Sequence, residues 1–390
     1  MRWFYFACFG GVGFINPFIN LFYNSLGLTG VQIGTIGTAG AIVPITVVPL
    51  IVAAIKKQAG ARTWLQGLVL VATVGNYLIS RQVTLAPLIV IAFLQSFATS
   101  SISPISDTAA VSVAREGNTG FGGIRVWASF GWIVFVLLSG WLIDRFGYAA
   151  AFYGVISMNI VAILVLFGVQ PRLFSSGASQ AQSNPGILKT IQRLLKDRTL
   201  VGFAIALILI GFLNCGVTQF ENLFLSQLGA TKQLISVAGV LSAIMELPCM
   251  LLADRLVRRR GAHPLMLLSL GLLMVQRSAV LIFPFVPTIL IVRFLGGFSF
   301  SLYTVSFVNL ISSRTDPEDT GTAMAIFSIT IAGLVNAAAA PISGAVFDTF
   351  GPRWLYALAA VGYSLGMLSL ALSRPRKPAL VLEPELGSEP

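Results

Sequence analysis

The chain has 390 residues, of which 56% are hydrophobic and only 10% charged. A soluble domain carries roughly 25% charged residues, so this composition excludes a water-covered globule and requires an integral membrane protein with about a dozen spans. The net charge of +11 is not a nucleic-acid signal, because cytoplasmic loops of membrane proteins are loaded with Lys and Arg.

The first apolar run, residues 3–23, contains GVGFINPFIN. Gly13 and Pro17 predict a kinked helix, tolerable in a bundle because neighbours re-satisfy freed backbone groups. The run continues as a span, so no cleavable leader is expected. Asn16 and Asn20 lie at i and i+4; they either face a cavity or hydrogen-bond a neighbouring helix. In the second run, residues 31–55, Gly30, Gly34, Gly37 and Gly40 form a small-residue flank for close helix packing. A basic loop with Lys56, Lys57 and Arg62 follows.

Residues 64–79 form the third run and residues 85–114 the fourth, which is longer than a bilayer requires. The loop after it is Gly-rich but lacks the Lys-Ser/Thr of a phosphate-binding loop. Residues 124–143 and 149–169 are the fifth and sixth runs, joined by DRFGY. A long polar interval follows at residues 170–198. It holds SSGASQAQSNPG, of flexible-linker composition, and then ILKTIQRLLKD. There Ile187, Leu188, Ile191, Leu194 and Leu195 oppose Lys189, Arg193 and Lys196, as in a helix lying on a membrane surface. Six more runs lie near 200–225, 234–252, 264–283, 287–311, 321–346 and 354–372. The tail turns acidic and is expected to be disordered.

The predicted organisation is therefore an all-α membrane protein. Residues 1–169 and 199–373 form two six-helix bundles, joined by a linker at 170–198 and followed by a tail at 374–390. With the N-terminus inside, most Lys and Arg fall on one side; the other holds only Arg81, Arg145, Lys232 and Arg353. That asymmetry predicts twelve spans with both termini in the cytoplasm.

Five charges lie in or beside apolar runs: Asp107, Glu221, Glu246, Arg277 and Arg293. Each costs roughly 2.5–3.5 kcal/mol at mid-membrane, so each requires a partner or a wet cavity. Asp107 is expected to pair with Arg125, while Glu221, Glu246, Arg277 and Arg293 pair two by two. Such pairs either staple helices or mark a solute or proton path. Arg125, Ser129 and Trp132 fall at i, i+4 and i+7, on one helical face. With Asp107 they make a docking point for a polar solute. Asn222 is a further hydrogen-bonding candidate. Glu246, in SAIMELPCML, and Glu221, in TQFENLF, are candidate proton carriers, since a carboxylate can shed its charge in a cavity of low dielectric. Cys8, Cys215 and Cys249 lack ligand spacing, and His263 stands alone beside RRRGAH, so neither a disulfide framework nor a metal site is expected. No nucleophile–base set or cofactor motif points to an enzyme.

The six–linker–six layout, with LADRLVRRRG at residues 252–261, resembles the major facilitator superfamily. Its first-half counterpart, PLIVAAIKKQAGAR, lacks the expected acid, with Lys56 near that place. Within the superfamily, P-x-x-D at 104–107 followed by GGIRVWASFGW at 122–132 resembles the lactose-permease and phenylpropionate-permease group. The resemblance implies that Asp107 and Arg125 grip substrate and that Trp132 stacks on it. It also implies that Asn222 contacts substrate, that Glu246 serves substrate and proton coupling, and that Arg277 and Arg293 belong to the coupling network. The chain departs from the group where a sugar-binding histidine becomes Gly296 and a proton-releasing glutamate becomes Ser299. The acids before Glu221 and a lysine near Ala332 are also missing.

The expectation is a monomeric secondary transporter of the cell (inner) membrane with no cofactor. It moves a sugar, nucleoside or aromatic acid by alternating access in symport with protons. A proton-independent facilitator or efflux carrier is the alternative within the fold. A non-transporting sensor or assembly protein is the alternative outside it.

Overall fold

The computed structural model describes residues 1–46, 60–116, 120–171 and 187–373. Lys56, Lys57, most of the polar linker and the acidic tail lie outside the described residues.

An apolar chain in lipid must satisfy its backbone within each segment, and every element here is helical. The first half comprises α1 (Arg2–Ile15), α2 (Ile19–Ser25), α3 (Gly30–Thr46), α4 (Ala61–Arg81), α5 (Leu85–Glu116), α6 (Phe121–Phe146) and α7 (Tyr148–Phe167). A linker helix, α8 (Ile187–Lys196), follows. The second half comprises α9 (Arg198–Gln227), α10 (Lys232–Arg260), α11 (Ala262–Ile282), α12 (Val286–Ser312), α13 (Pro317–Ala325), α14 (Ala332–Phe350) and α15 (Pro352–Leu372). A π-helical turn at Ile326–Ile331 joins α13 to α14. Counting α1 with α2 and α13 with α14, eleven segments among the described residues are long and apolar enough to cross a membrane, and α3 supplies a shorter apolar helix.

The kink expected at Gly13 and Pro17 is a break. α1 stops at Ile15 and α2 resumes at Ile19, because Pro17 has no N–H to continue the ladder. The pattern of turns repeats between the halves. Left-handed glycines close equivalent turns at Gly27 and Gly229 (φ 82° and 89°) and at Gly147 and Gly351 (φ 77° and 86°). These turns lie at the end of the bundle opposite the termini, here called the distal end.

The halves meet along three seams: α3 on α14, α6 on α10, and α2 on α9. Two glycines of the expected α3 flank, Gly30 and Gly34, serve the first seam, whereas Gly37 and Gly40 face Gln219 and Ser96 instead. A Cβ on Gly30 would lie 2.7 Å from the Gly344 carbonyl oxygen, and one on Gly34 would overlap the Ala340 backbone. Thr38 Oγ1 donates to the Ala337 carbonyl at 2.8 Å on the same seam. On the second seam Gly140 lies against Lys232 and Ser236. All these contacts fall in the distal half of the helices.

The linker helix does more than lie on a surface. Thr190 is buried and donates to Asp319 at 2.6 Å, and Arg193 pairs with Asp319 at 2.7 Å. Asp197 then caps α9 through the Thr199 and Leu200 N–H groups and receives Arg314 at 2.9 Å. The helix is thereby clamped to the second half, leaving Leu195 of the apolar stripe exposed.

Candidate functional site

Three adjoining cavity lobes occupy the space within and between the halves. The first, about 490 Å³, lies in the amino-terminal half. The middle lobe, about 390 Å³, sits on the seam between α6 and α10. The third, about 490 Å³, lies in the carboxy-terminal half. Phe9 lines the first and middle lobes, and Ser242 lines the middle and third.

The middle lobe gathers the predicted helical face. Arg125, Ser129 and Trp132 of α6 line it together with Glu246 of α10. Helical spacing placed the first three; only tertiary packing brings Glu246 opposite them. Arg125 clamps Asp107 through two bonds from one guanidinium nitrogen, at 2.7 and 2.9 Å. The Asp107 carboxylate also accepts from Tyr5 at 2.6 Å and from Ser103 at 3.3 Å. Tyr5 was not a sequence candidate. Its position on α1, 102 residues from Asp107, left no local pattern to find. The side chains of Arg125 and Asp107 are 45% and 33% exposed, so this pair faces a wet opening. Trp132 packs across the seam, and a Cβ on Gly239 would touch its ring at 3.5 Å.

The third lobe departs from the expected pairing. Two carboxylates do not share two arginines. Glu221 takes both: Arg293 at 2.8 Å and Arg277 at 3.8 Å. Tyr356 donates to the same carboxylate at 3.0 Å. Glu246, by contrast, has no ion pair or side-chain hydrogen bond among the described residues; its backbone carbonyl accepts from Ser301. The reason is placement. Glu221 on α9 lies amid α11, α12 and α15, whereas Glu246 on α10 faces the other half. Two buried polar atoms, Asn214 Oδ1 and Arg277 Nε, also lack partners among the described residues, and both residues line this lobe.

Asn222 is occupied elsewhere. Its amide nitrogen donates to the Pro17 carbonyl at 2.8 Å, and its oxygen accepts from Arg293 at 2.7 Å. It is not among the residues lining the three lobes; it ties the break between α1 and α2 to the second half. Ser299 is fully buried and accepts from Gln276 at 2.8 Å.

The first lobe was largely missed. Asn16 lines it as one of the two readings held, and so does Asn20, whose amide also donates to the Gln219 carbonyl at 2.8 Å. Asn76, Gln95 and Asn159 join them from α4, α5 and α7. Isolated amides in apolar runs were the available signal. Among the described residues the lobe is lined by neutral side chains only. Among the described residues no cluster of His, Cys, Asp or Glu could hold a metal ion, and the three cysteines are buried and free.

Two helical halves enclosing a multi-lobed cavity that holds a few polar and charged side chains have the architecture of a multi-pass membrane transporter. The chain belongs to the major facilitator superfamily: the model of the MFS_1 like family matches residues 1–358. It is 31% identical to the maltose permease of Geobacillus stearothermophilus over 271 residues, 68% of this chain and 66% of that one. It is 21% identical to a probable 3-phenylpropionic acid transporter of Escherichia coli over 316 residues, 80% of this chain and 82% of that one. Among solved structures, that of the nucleoside transporter NupG superposes with a TM-score of 0.82 at 14% identity, covering 96% of this chain and 98% of that one.

Proposed function

We propose that the chain is a proton-coupled symporter of a small polar organic solute, working by alternating access as a monomer in the cell membrane. Its termini lie in the cytoplasm, so the distal end faces outward. The carrying observation is the middle lobe, where Arg125 of one half, paired behind the lobe with Asp107, lines the same space as Glu246 of the other, which has no ion-pair partner among the described residues. A solute seated there touches both halves, and each half can sense its presence.

Glu246 is the proton carrier in this reading. Its carboxylate has no ion-pair partner among the described residues, whereas that of Glu221 is engaged by two arginines. Arg125 and Asp107 bind hydroxyl or carboxylate groups of the solute, and Trp132 offers a flat apolar wall. Amides of the first lobe and the free Asn214 Oδ1 and Arg277 Nε of the third extend hydrogen bonding to either side. Sugars, nucleosides and aromatic acids all fit that description. The names of the relatives span the same range, with maltose, 3-phenylpropionic acid and nucleosides.

The test uses purified protein in proteoliposomes with radiolabelled maltose, uridine and 3-phenylpropionate. Symport predicts accumulation of one of them that a protonophore abolishes. Glu246→Gln should lose gradient-driven accumulation yet keep solute exchange between the two sides, since a fixed neutral side chain needs no proton to reorient. The second reading, proton-independent facilitation, is favoured by Ser299 and Gly296 standing where the related group carries ionisable residues. Uptake indifferent to the protonophore would establish it and remove symport.

A further inference from the structure

At the distal end each half caps a helix of the other. The first N–H groups of a helix have no partner within it. In α3, Gly30 and Val31 donate theirs to Asp348 of α14, at 2.7 and 3.0 Å. In α10, Lys232 and Gln233 donate theirs to Asp144 of α6, at 3.0 and 2.9 Å. The next N–H is satisfied locally in both helices: Gln32 donates to Thr29 at 3.3 Å and Leu234 to Thr231 at 3.1 Å. Three orphan donors per helix are thus filled, two of them by a carboxylate from the opposite half.

The arrangement is written twice in the chain. G-x-x-x-D-x-F-G occurs at residues 140–147 and again at 344–351, and L-G-x-T at 26–29 and again at 228–231. The glycines, the Asp and the Thr each have a part. The first Gly lets the backbones meet, since a Cβ on Gly140 or Gly344 would overlap the opposing helix start. One turn later the Asp reaches the exposed N–H pair. The Thr supplies the local cap. The second Gly of the D-x-F-G stretch and the Gly of L-G-x-T take left-handed turns. An ordinary cap comes from a chain neighbour, yet these carboxylates stand 88 and 318 residues from the first N–H that each binds. Helix capping by itself has no need of such distances.

We infer that Asp144 and Asp348 are twin latches that hold the distal entrance shut, and that both release whenever the halves part there. The inference rests on the alternating-access reading but not on any substrate or on protons. On separation, four N–H groups and two carboxylates pass to water, which pays back most of their bonding. The latches are therefore strong enough to bias the equilibrium and weak enough to open. Loss of one cap should move the closed-to-open ratio roughly fivefold, and loss of both roughly 25-fold.

The test is a distance measurement in the absence of substrate. Spin labels at Val83→Cys and Phe285→Cys sit on exposed distal positions of opposite halves, and the native cysteines are buried. Pulsed electron resonance should give one short distance in the otherwise unaltered protein. A longer one should grow in with Asp144→Asn or Asp348→Asn and dominate in the double variant. Ser236→Cys, buried in the second seam, provides a readout in intact membranes: alkylation from outside should speed up in the same order. Unchanged distances and unchanged alkylation in a correctly inserted double variant would overturn the latch and leave two static caps. Uptake indifferent to a protonophore, with the distances as expected, would count against the symport reading alone.

Discussion

The two halves repeat one another at the distal end and differ at the cavity. Both halves build a cap from the same residue spacing, because each must seal against the other. Inside, the amino-terminal half carries one open ion pair, 33–45% exposed, beside a lobe of neutral amides. The carboxy-terminal half carries one carboxylate shared by two arginines, all 12–18% exposed. An exposed pair can trade its partner for a solute at small cost, because water already shares the charges. A buried cluster cannot, since removing one member strands the others in low dielectric. On the proposed cycle, the difference predicts a division of labour: the Asp107–Arg125 pair exchanges contacts with the solute while the Glu221 cluster holds its shape.

The largest expected effect attacks the buried cluster. Glu221→Ala leaves Arg277 and Arg293 without their carboxylate and should cost about 3–5 kcal/mol, seen as a sharp fall in thermal unfolding temperature in detergent. A variant that unfolds like the unaltered protein would erase the contrast between the halves. Next comes Arg125→Ala. It should change stability by about 1 kcal/mol or less while abolishing solute binding in a thermal-shift screen over sugars, nucleosides and aromatic acids. Stability lost together with binding would make the pair a staple, as in the second half. The smallest is Tyr5→Phe, which deletes one hydrogen bond to Asp107. A bond to a charged group is worth about 1.5–3 kcal/mol, reduced here by exposure, so about a tenfold weaker solute affinity is expected. An unchanged affinity would show that Arg125 alone positions the carboxylate.

Much of this was legible in the chain itself. Helix count, an irregularity near Pro17, close packing at Gly30 and Gly34 and the shared face of Arg125, Ser129 and Trp132 follow from hydropathy, residue type and helical period, which are local properties; that the expected kink is a full break does not. The Asp107–Arg125 pair was also readable, because the two residues stand only 18 positions apart on consecutive helices. The twin caps left a trace as well, in repeated G-x-x-x-D-x-F-G and L-G-x-T spacings, although their purpose shows only when the halves are docked.

What the structure alone decided is partnership across the fold. Charge in an apolar run demands compensation, and composition states that demand without naming the supplier. Glu221 and Glu246 read alike as lone acids in membrane helices. Packing gave the first two arginines and a tyrosine and turned the second toward the opposite half. Tyr5 and Asp107, Asn222 and Pro17, and Asp348 and Gly30 are joined over 102, 205 and 318 residues. Distances of that kind are set by how helices pack, a property of the whole chain that no window of sequence contains.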